Sequence, residues 1–201
     1  RCGMSGMWWK GSGGSRSVRS QMRDRGVAVT GIGVICALGK NRHETWDALR
    51  SGRSGIAPIE AVDTSKLRFR DGAEVRDYRA DLYFESPQAT LLDRFAQFGL
   101  VAAREALQHS GLDLTDSLRE RTAVITGSSL GGQGSQDTGF VDLYRKNRNR
   151  VHPLTIPRTM SNAGASHISM EFGTLGPAMT VSTACSSALP RKLEPSSLTP
   201  P

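Results

Sequence analysis

The chain has 201 residues, 37% of them hydrophobic and 22% charged, which suits one soluble α/β domain with a core of its own and excludes a disulfide-stapled peptide. No apolar run approaches the roughly 20 residues of a membrane span, so no transmembrane helix is expected. Three scattered cysteines, Cys2, Cys36 and Cys185, form no CxxC pair and exclude both a disulfide framework and a thiolate metal site, which fits a reducing, cytoplasmic compartment.

Lys and Arg outnumber Asp and Glu by 26 to 19, a net charge of +7. Much of the excess lies near the N-terminus and in Arg145, Lys146, Arg148 and Arg150. A solvated face is the simpler reading of that run, and a surface that docks an acidic carrier protein is the sharper one. No nucleic-acid partner is expected from it.

Residues 1–23 carry five basic and no acidic residues among many Gly and Ser, a composition expected to be a disordered leader. It reads either as a transit peptide or, preferably, as sequence upstream of a start at Met22. Val27–Thr30 is expected to be a short buried strand running into Gly31 and Gly33. Asn41 can cap a helix over 43–50 that Gly52 closes, and 73–75 could form an edge strand after a polar stretch. The run LLDRFAQFGLVAAREALQHSG, 91–111, is apolar at helical spacing on more than one face and ends at Gly111, so a deeply buried helix is expected.

TAVITG, 122–127, reads as a strand and 135–147 as a helix; 152–157 reads as a loop, 159–173 as a helix of small residues and AMTVST, 178–183, as the last strand. Strands alternating with helices predict βαβ units and a mixed, largely parallel sheet covered by helices. The closing LPRKLEPSSLTPP has four prolines, so a helix begun at Cys185 can run little more than a turn; 190–201 is expected to be a disordered, unrelated tail.

Several motifs point elsewhere. Gly31 and Gly33 after a strand approach the dinucleotide fingerprint GxGxxG, but its third glycine is Cys36. Gly127 to Gly132 has P-loop spacing with Gln133 in place of lysine, and Tyr144 is followed four residues on by Arg148 where a reductase needs lysine. Tight turns explain these better than nucleotides do. His43, His109, His152 and His167 offer no pair at metal-ligand spacing, and His167 reads as a core residue.

Cys185 remains the candidate nucleophile. It follows a strand, precedes an expected helix N-terminus that would stabilise a thiolate, and sits among Ala184, Ser186, Ser187 and Ala188, small enough for a sharp turn. Its own N–H can face the oxyanion of an attacked thioester. The plainer alternative is a free cysteine packed as a small hydrophobe.

VAVTGIGVICALGKNRHETWDALRSGRSGI, LLDRFAQFGLVAAREAL, VITGSSLGG, HPLTIPRTMSNAGASHISMEFGTLGP and VSTACSSA, in this order, resemble the N-terminal half of the β-ketoacyl-acyl carrier protein synthases, in particular the elongating synthases I and II. The resemblance implies a thiolase-like layered α/β fold, of which 24–189 is the N-terminal half, and normally a homodimer. It implies an acyltransferase of fatty acid biosynthesis that condenses an acyl thioester with malonyl-acyl carrier protein. The acyl carrier protein is the implied partner, and no cofactor or metal is implied.

On the same resemblance Cys185 is the acyl-accepting nucleophile, a residue that chain-length-factor relatives lack. Leu130 stands at the gate of the acyl pocket, and Thr155 stands where elongating enzymes usually carry an aromatic that reaches it. The second half of the family supplies two histidines that none of the four histidines here matches. A chain that stops after the cysteine is therefore expected not to decarboxylate malonyl groups. A polyketide ketosynthase and an inactive carrier-binding fragment are the alternatives.

Overall fold

The computed structural model describes residues 27–187. The leader expected at 1–23, the tail expected at 190–201 and any helix continuing beyond Ser187 lie outside the described residues. The chain divides into two units, 1–30 and 31–201. In the first, the strand expected at Val27–Thr30 does not form, and Val27 is 95% exposed. A four-residue β-branched run becomes a strand only where a ladder pairs its backbone, because β propensity measures packing context more than intrinsic preference.

In the second unit, helix α1, Arg42–Arg50, starts where its capping residues dictate. The Asn41 side chain accepts the Glu44 N–H at 2.9 Å, and the Glu44 carboxylate reaches back to the Lys40 N–H at 2.8 Å, a reciprocal cap. Strands β1, Ala57–Pro58, and β2, Asp71–Gly72, then form a short antiparallel pair. The edge strand expected at 73–75 is thus displaced toward the N-terminus. Past Gly72, the Glu74 carboxylate accepts the amides of Glu60 at 2.8 Å and Ala61 at 3.1 Å, so a side chain replaces the ladder.

After a 3-10 turn at Ala80–Leu82, the single helix expected at 91–111 is two: α2, Ser86–Leu91, and α3, Arg94–Ser110. The break lies at Leu92 and Asp93, both extended. The buried Asp93 carboxylate caps α3 through the Phe95 N–H at 3.2 Å and accepts the Ser135 N–H at 2.8 Å, which holds the chain out of helical geometry. Gly111 ends α3 in the left-handed region, φ +64°, which glycine adopts without Cβ strain.

Helix α4, Asp116–Arg121, leads to strand β3, Val124–Gly127. Next come α5, Gln133–Phe140, a π turn at Val141–Arg145, α6, Thr155–Thr159, and α7, Ala163–Phe172, before strand β4, Ala178–Val181. The loop expected at 152–157 therefore holds the start of α6, and the helix expected at 159–173 begins only at Ala163. Between them the carbonyls serve other segments: Thr159 O accepts the Gly132 N–H at 3.2 Å and Ser161 O accepts the Thr180 hydroxyl at 3.4 Å.

Strands β3 and β4 pair in parallel, from Val124 with Ala178 to Gly127 with Val181, and the helical crossover between them makes the expected βαβ unit. Helix α7 packs against this pair and against α3. The core joins Phe84, Leu92, Ala96, Leu100 and Val101, with Phe95 and Ile168 packed on it. Parallel strands are usually covered on both faces; here Ile125 is 50% exposed, so the expected covering by helices is only partial among the described residues.

Candidate active site

The chain leaves β4 through a hydrogen-bonded turn. The Ser187 hydroxyl accepts the Thr183 N–H at 2.9 Å and donates to the Ala184 carbonyl at 2.7 Å, while the Ser186 hydroxyl donates to the Thr183 carbonyl at 2.8 Å. Ala184 is thereby held at φ +51°, a left-handed conformation that a residue with a Cβ adopts at a cost of about 1–2 kcal/mol. The next residue is Cys185, which is exposed, whereas Ser187 is 8% exposed. A strained turn that follows a strand and carries an exposed thiol has the backbone form expected of the first half of a nucleophile elbow.

The parallel register brings a second turn beside it. Gly127 is the partner of Val181, the Ser128 N–H donates to the Val181 carbonyl at 3.2 Å, and the Ser182 hydroxyl donates to the Ser129 carbonyl at 3.3 Å. Within this second turn the Ser128 hydroxyl accepts the Gly131 N–H at 3.1 Å, and Leu130 is 66% exposed. Leu130 and Cys185 therefore rise from adjacent turns at the carboxyl ends of two parallel strands, the edge at which open α/β sheets place their ligands.

Thr155 lies in a different wall. It begins α6 and borders an apolar cavity of about 430 Å³ together with Phe140, Leu143, Val151 and Ile156. It also borders a more polar hollow of about 340 Å³ with Asp93, Asp142, His152 and Arg158. Cys185 lines neither cavity. The link between Thr155 and the elbow is indirect, through the Gly132 N–H to Thr159 O bond that ties the Leu130 turn to α6.

The basic stretch is partly neutralised. Asp142 accepts Lys146 Nζ at 2.9 Å and lies 3.3 Å from Arg148 Nη1, and the Lys146 hydrogen bond, with the two cations, holds its carboxyl below the usual range. Arg148, Arg150, His152 and Arg158 together border an open hollow of about 890 Å³.

The nucleotide-like glycines have a packing role. A Cβ on Gly31 would overlap the Ala106 carbonyl and one on Gly33 the Ala102 carbonyl. The Ile32 N–H donates to His109 Nδ1 at 3.0 Å and the Val34 N–H to Glu105 at 2.8 Å, which straps the segment to α3. Cys36 sits in the following turn with its sulfur 3.6 Å from the Thr45 hydroxyl. Burial raises its thiol pKa, but the backbone of Leu38 and Gly39 and the Thr45 hydroxyl outweigh this and lower it. His167 is half-buried, and its pKa is lowered by that burial. Among the described residues no three His, Cys, Asp or Glu side chains are grouped to hold a metal, and no helix is long and apolar enough to cross a membrane.

Sequence reasoning found the cysteine and the small residues around it but not the left-handed Ala184, the Ser187 bridge or the Ser182–Ser129 link. The available signal was the serine four residues beyond Thr183. A four-residue spacing is common in loops and specifies no bond without the turn.

The family model for the β-ketoacyl synthase N-terminal domain matches residues 24–190. The chain belongs to the β-ketoacyl synthase family. It is similar to 3-oxoacyl-[acyl-carrier-protein] synthase 2 of Vibrio cholerae, 34% identical over 168 residues that cover 84% of this chain and 41% of that protein. The chain thus spans well under half the length of this curated relative. Among solved structures, the ishigamide ketosynthase/chain length factor superposes with a TM-score of 0.70 at 29% identity, over 78% of this chain and 40% of that one. A type II polyketide synthase acyl carrier protein in complex with its ketosynthase matches with a TM-score of 0.62 at 18% identity, over 79% and 42%, and shows the fold alone. The fold is that of the N-terminal region of a thiolase-like ketosynthase.

Proposed function

We propose that this chain carries the acyl-accepting part of a β-ketoacyl-acyl carrier protein synthase of the elongating type, built in the domain 24–189. The observation that carries the reading is the position of Cys185: exposed, directly after the left-handed Ala184, at the carboxyl end of β4. In the proposed step the Cys185 thiolate attacks the carbonyl carbon of an acyl-carrier thioester. A new carbon–sulfur bond forms at Cys185, the bond to the carrier's sulfur breaks, and the released carrier thiolate takes up a proton. The Cys185 N–H faces the oxyanion of the tetrahedral intermediate, where a preformed donor is most effective.

Leu130, on the neighbouring turn, borders the acyl chain, and Thr155 shapes a wall of the pocket farther out. The partner is an acyl carrier protein, met by the basic residues around 145–150, and the whole enzyme works as a homodimer in fatty acid biosynthesis. Condensation with a malonyl group is assigned to none of the four histidines, so the function proposed for these residues is the acyl transfer.

A polyketide ketosynthase is the second reading, favoured by the 29% identity to the ishigamide ketosynthase/chain length factor. Intact-protein mass spectrometry after incubation with acyl-carrier thioesters tests both readings. One adduct per chain, abolished by Cys185→Ala, is expected. Acceptance of saturated acyl groups supports the fatty acid reading, and acceptance of polyketide acyl groups alone supports the second. Absence of an adduct at Cys185 defeats both.

A further inference from the structure

We infer that Ser187 is a positioning residue for the Cys185 thiol, which it controls by enforcing the left-handed turn at Ala184. The inference rests on the reading of Cys185 as the nucleophile and assigns a function to a residue that does not react. Both hydrogen bonds of the Ser187 hydroxyl end on the two residues before the cysteine, the Thr183 N–H at 2.9 Å and the Ala184 carbonyl at 2.7 Å. The hydroxyl therefore closes a ring across the turn with Cys185 at its tip.

Ser187 is the buried member of this ring, 8% exposed, whereas Thr183, Ala184, Cys185 and Ser186 are exposed. A buried hydroxyl whose partners are all local contributes little to the packing of α3 against α7. Its effect falls on the conformation of Ala184, which a residue with a Cβ holds at φ +51° only when its surroundings enforce it. The Ser186 hydroxyl bonds Thr183 alone, through its carbonyl and its hydroxyl, and so does not grip Ala184. Backbone bonds also cross the turn, from the Ser186 N–H to the Thr183 carbonyl at 3.2 Å and from the Ser187 N–H to the Ala184 carbonyl at 3.1 Å, but the Thr183 N–H donates to the Ser187 hydroxyl. Without that hydroxyl the amide loses its partner, the remaining backbone bonds no longer hold Ala184 at positive φ, and the presentation of Cys185 changes.

The test is the rate at which iodoacetamide alkylates Cys185 in the full chain, resolved by peptide mass spectrometry. Ser187→Ala is expected to slow alkylation about tenfold, the scale of a hydrogen-bond pair lost from a turn. The loss left by a side chain that only supported the fold would not be rescued by Ala184→Gly. Ala184→Gly removes the Cβ penalty of the left-handed turn, so the Ala184→Gly, Ser187→Ala double variant is expected to recover to within about threefold of the parent.

A Ser187→Ala rate equal to the parent's overturns the inference, as does a double variant as slow as Ser187→Ala. If Ser187→Ala alone does not fold, the comparison of Ala184→Gly with the double variant decides. Similar rates are expected, and a difference of about fivefold or more, in excess of the effect of one weak hydrogen bond, overturns the inference. Alkylation by a small reagent reports presentation of the thiol alone. A parent that alkylates at Cys185 but accepts no acyl group from a carrier defeats the nucleophile reading and still leaves the Ser187 ratio to be judged.

Discussion

The Glu105 carboxylate accepts the Val34 N–H at 2.8 Å across 71 residues of sequence. Its other oxygen accepts the Arg42 N–H at 2.8 Å, so one side chain on α3 holds both the Gly31–Val34 segment and the first turn of α1. Hydrogen bonds to a charged partner contribute about 1.5–3 kcal/mol each, and these are partly buried. Glu105→Ala is therefore expected to lower stability by about 3 kcal/mol, and Glu105→Gln by about half as much. Urea unfolding midpoints of the two variants against the parent check this order.

Gly33 allows the segment to lie on α3. A Cβ there would overlap the Ala102 carbonyl, which is backbone of a helix packed in the core and cannot yield cheaply. Gly33→Ala is expected to cost about 3 kcal/mol, the upper range of overpacking effects. The companion measurement is the melting temperature in excess NAD. A packing role predicts no change, whereas a bound dinucleotide would raise it.

Arg104 joins α3 to α7. It pairs with Glu171, through Nη2 at 2.8 Å and a shorter contact from Nε, donates to the Tyr83 carbonyl at 2.6 Å, and lies 4.7 Å from the Phe84 ring centre. The Glu171 hydrogen bonds raise the pKa of the guanidinium despite its partial burial. Arg104→Ala is expected to destabilise by about 2–3 kcal/mol, and Arg104→Lys to recover less than half, because an ammonium cannot reproduce the planar fork. Chemical denaturation of both variants provides the comparison.

His167, on α7, has a pKa lowered by burial below the ordinary histidine value of 6.5. Below that value the unfolded chain binds a proton that the folded chain resists, so stability falls as pH drops from about 6.5 toward the lower folded value. Above about 6.5 both states are neutral and the contribution is flat. Denaturation midpoints across this window are expected to fall less steeply in His167→Gln than in the parent. Equal slopes would remove His167 as the cause.

Elements whose signals are local, and the lineage of the chain, were legible in the order of residues alone. Asn41 caps α1, Gly111 ends α3, and the runs read as strands at 122–127 and 178–183 contain the parallel pair. The ordered motif blocks were sufficient to place the chain in its family. Such features depend on neighbours three or four residues away, or on residue types preserved as a pattern.

Features that depend on distant partners emerged only once the chain was folded. Asp93 splits the long helix because its buried carboxylate also serves Ser135, 42 residues on. The exposed Val27–Thr30 has no strand despite its composition, and Gly31 and Gly33 are glycine because of a helix they do not adjoin in sequence. Among the candidate site residues, the parallel register and the Ser182–Ser129 bond, 53 residues apart, set the turn that carries Leu130 next to the turn that carries Cys185, while Thr155 goes to another wall. The physical reason is common to all of them: a buried polar group or a close backbone approach is satisfied by whatever the fold brings to it, and sequence spacing does not encode that meeting.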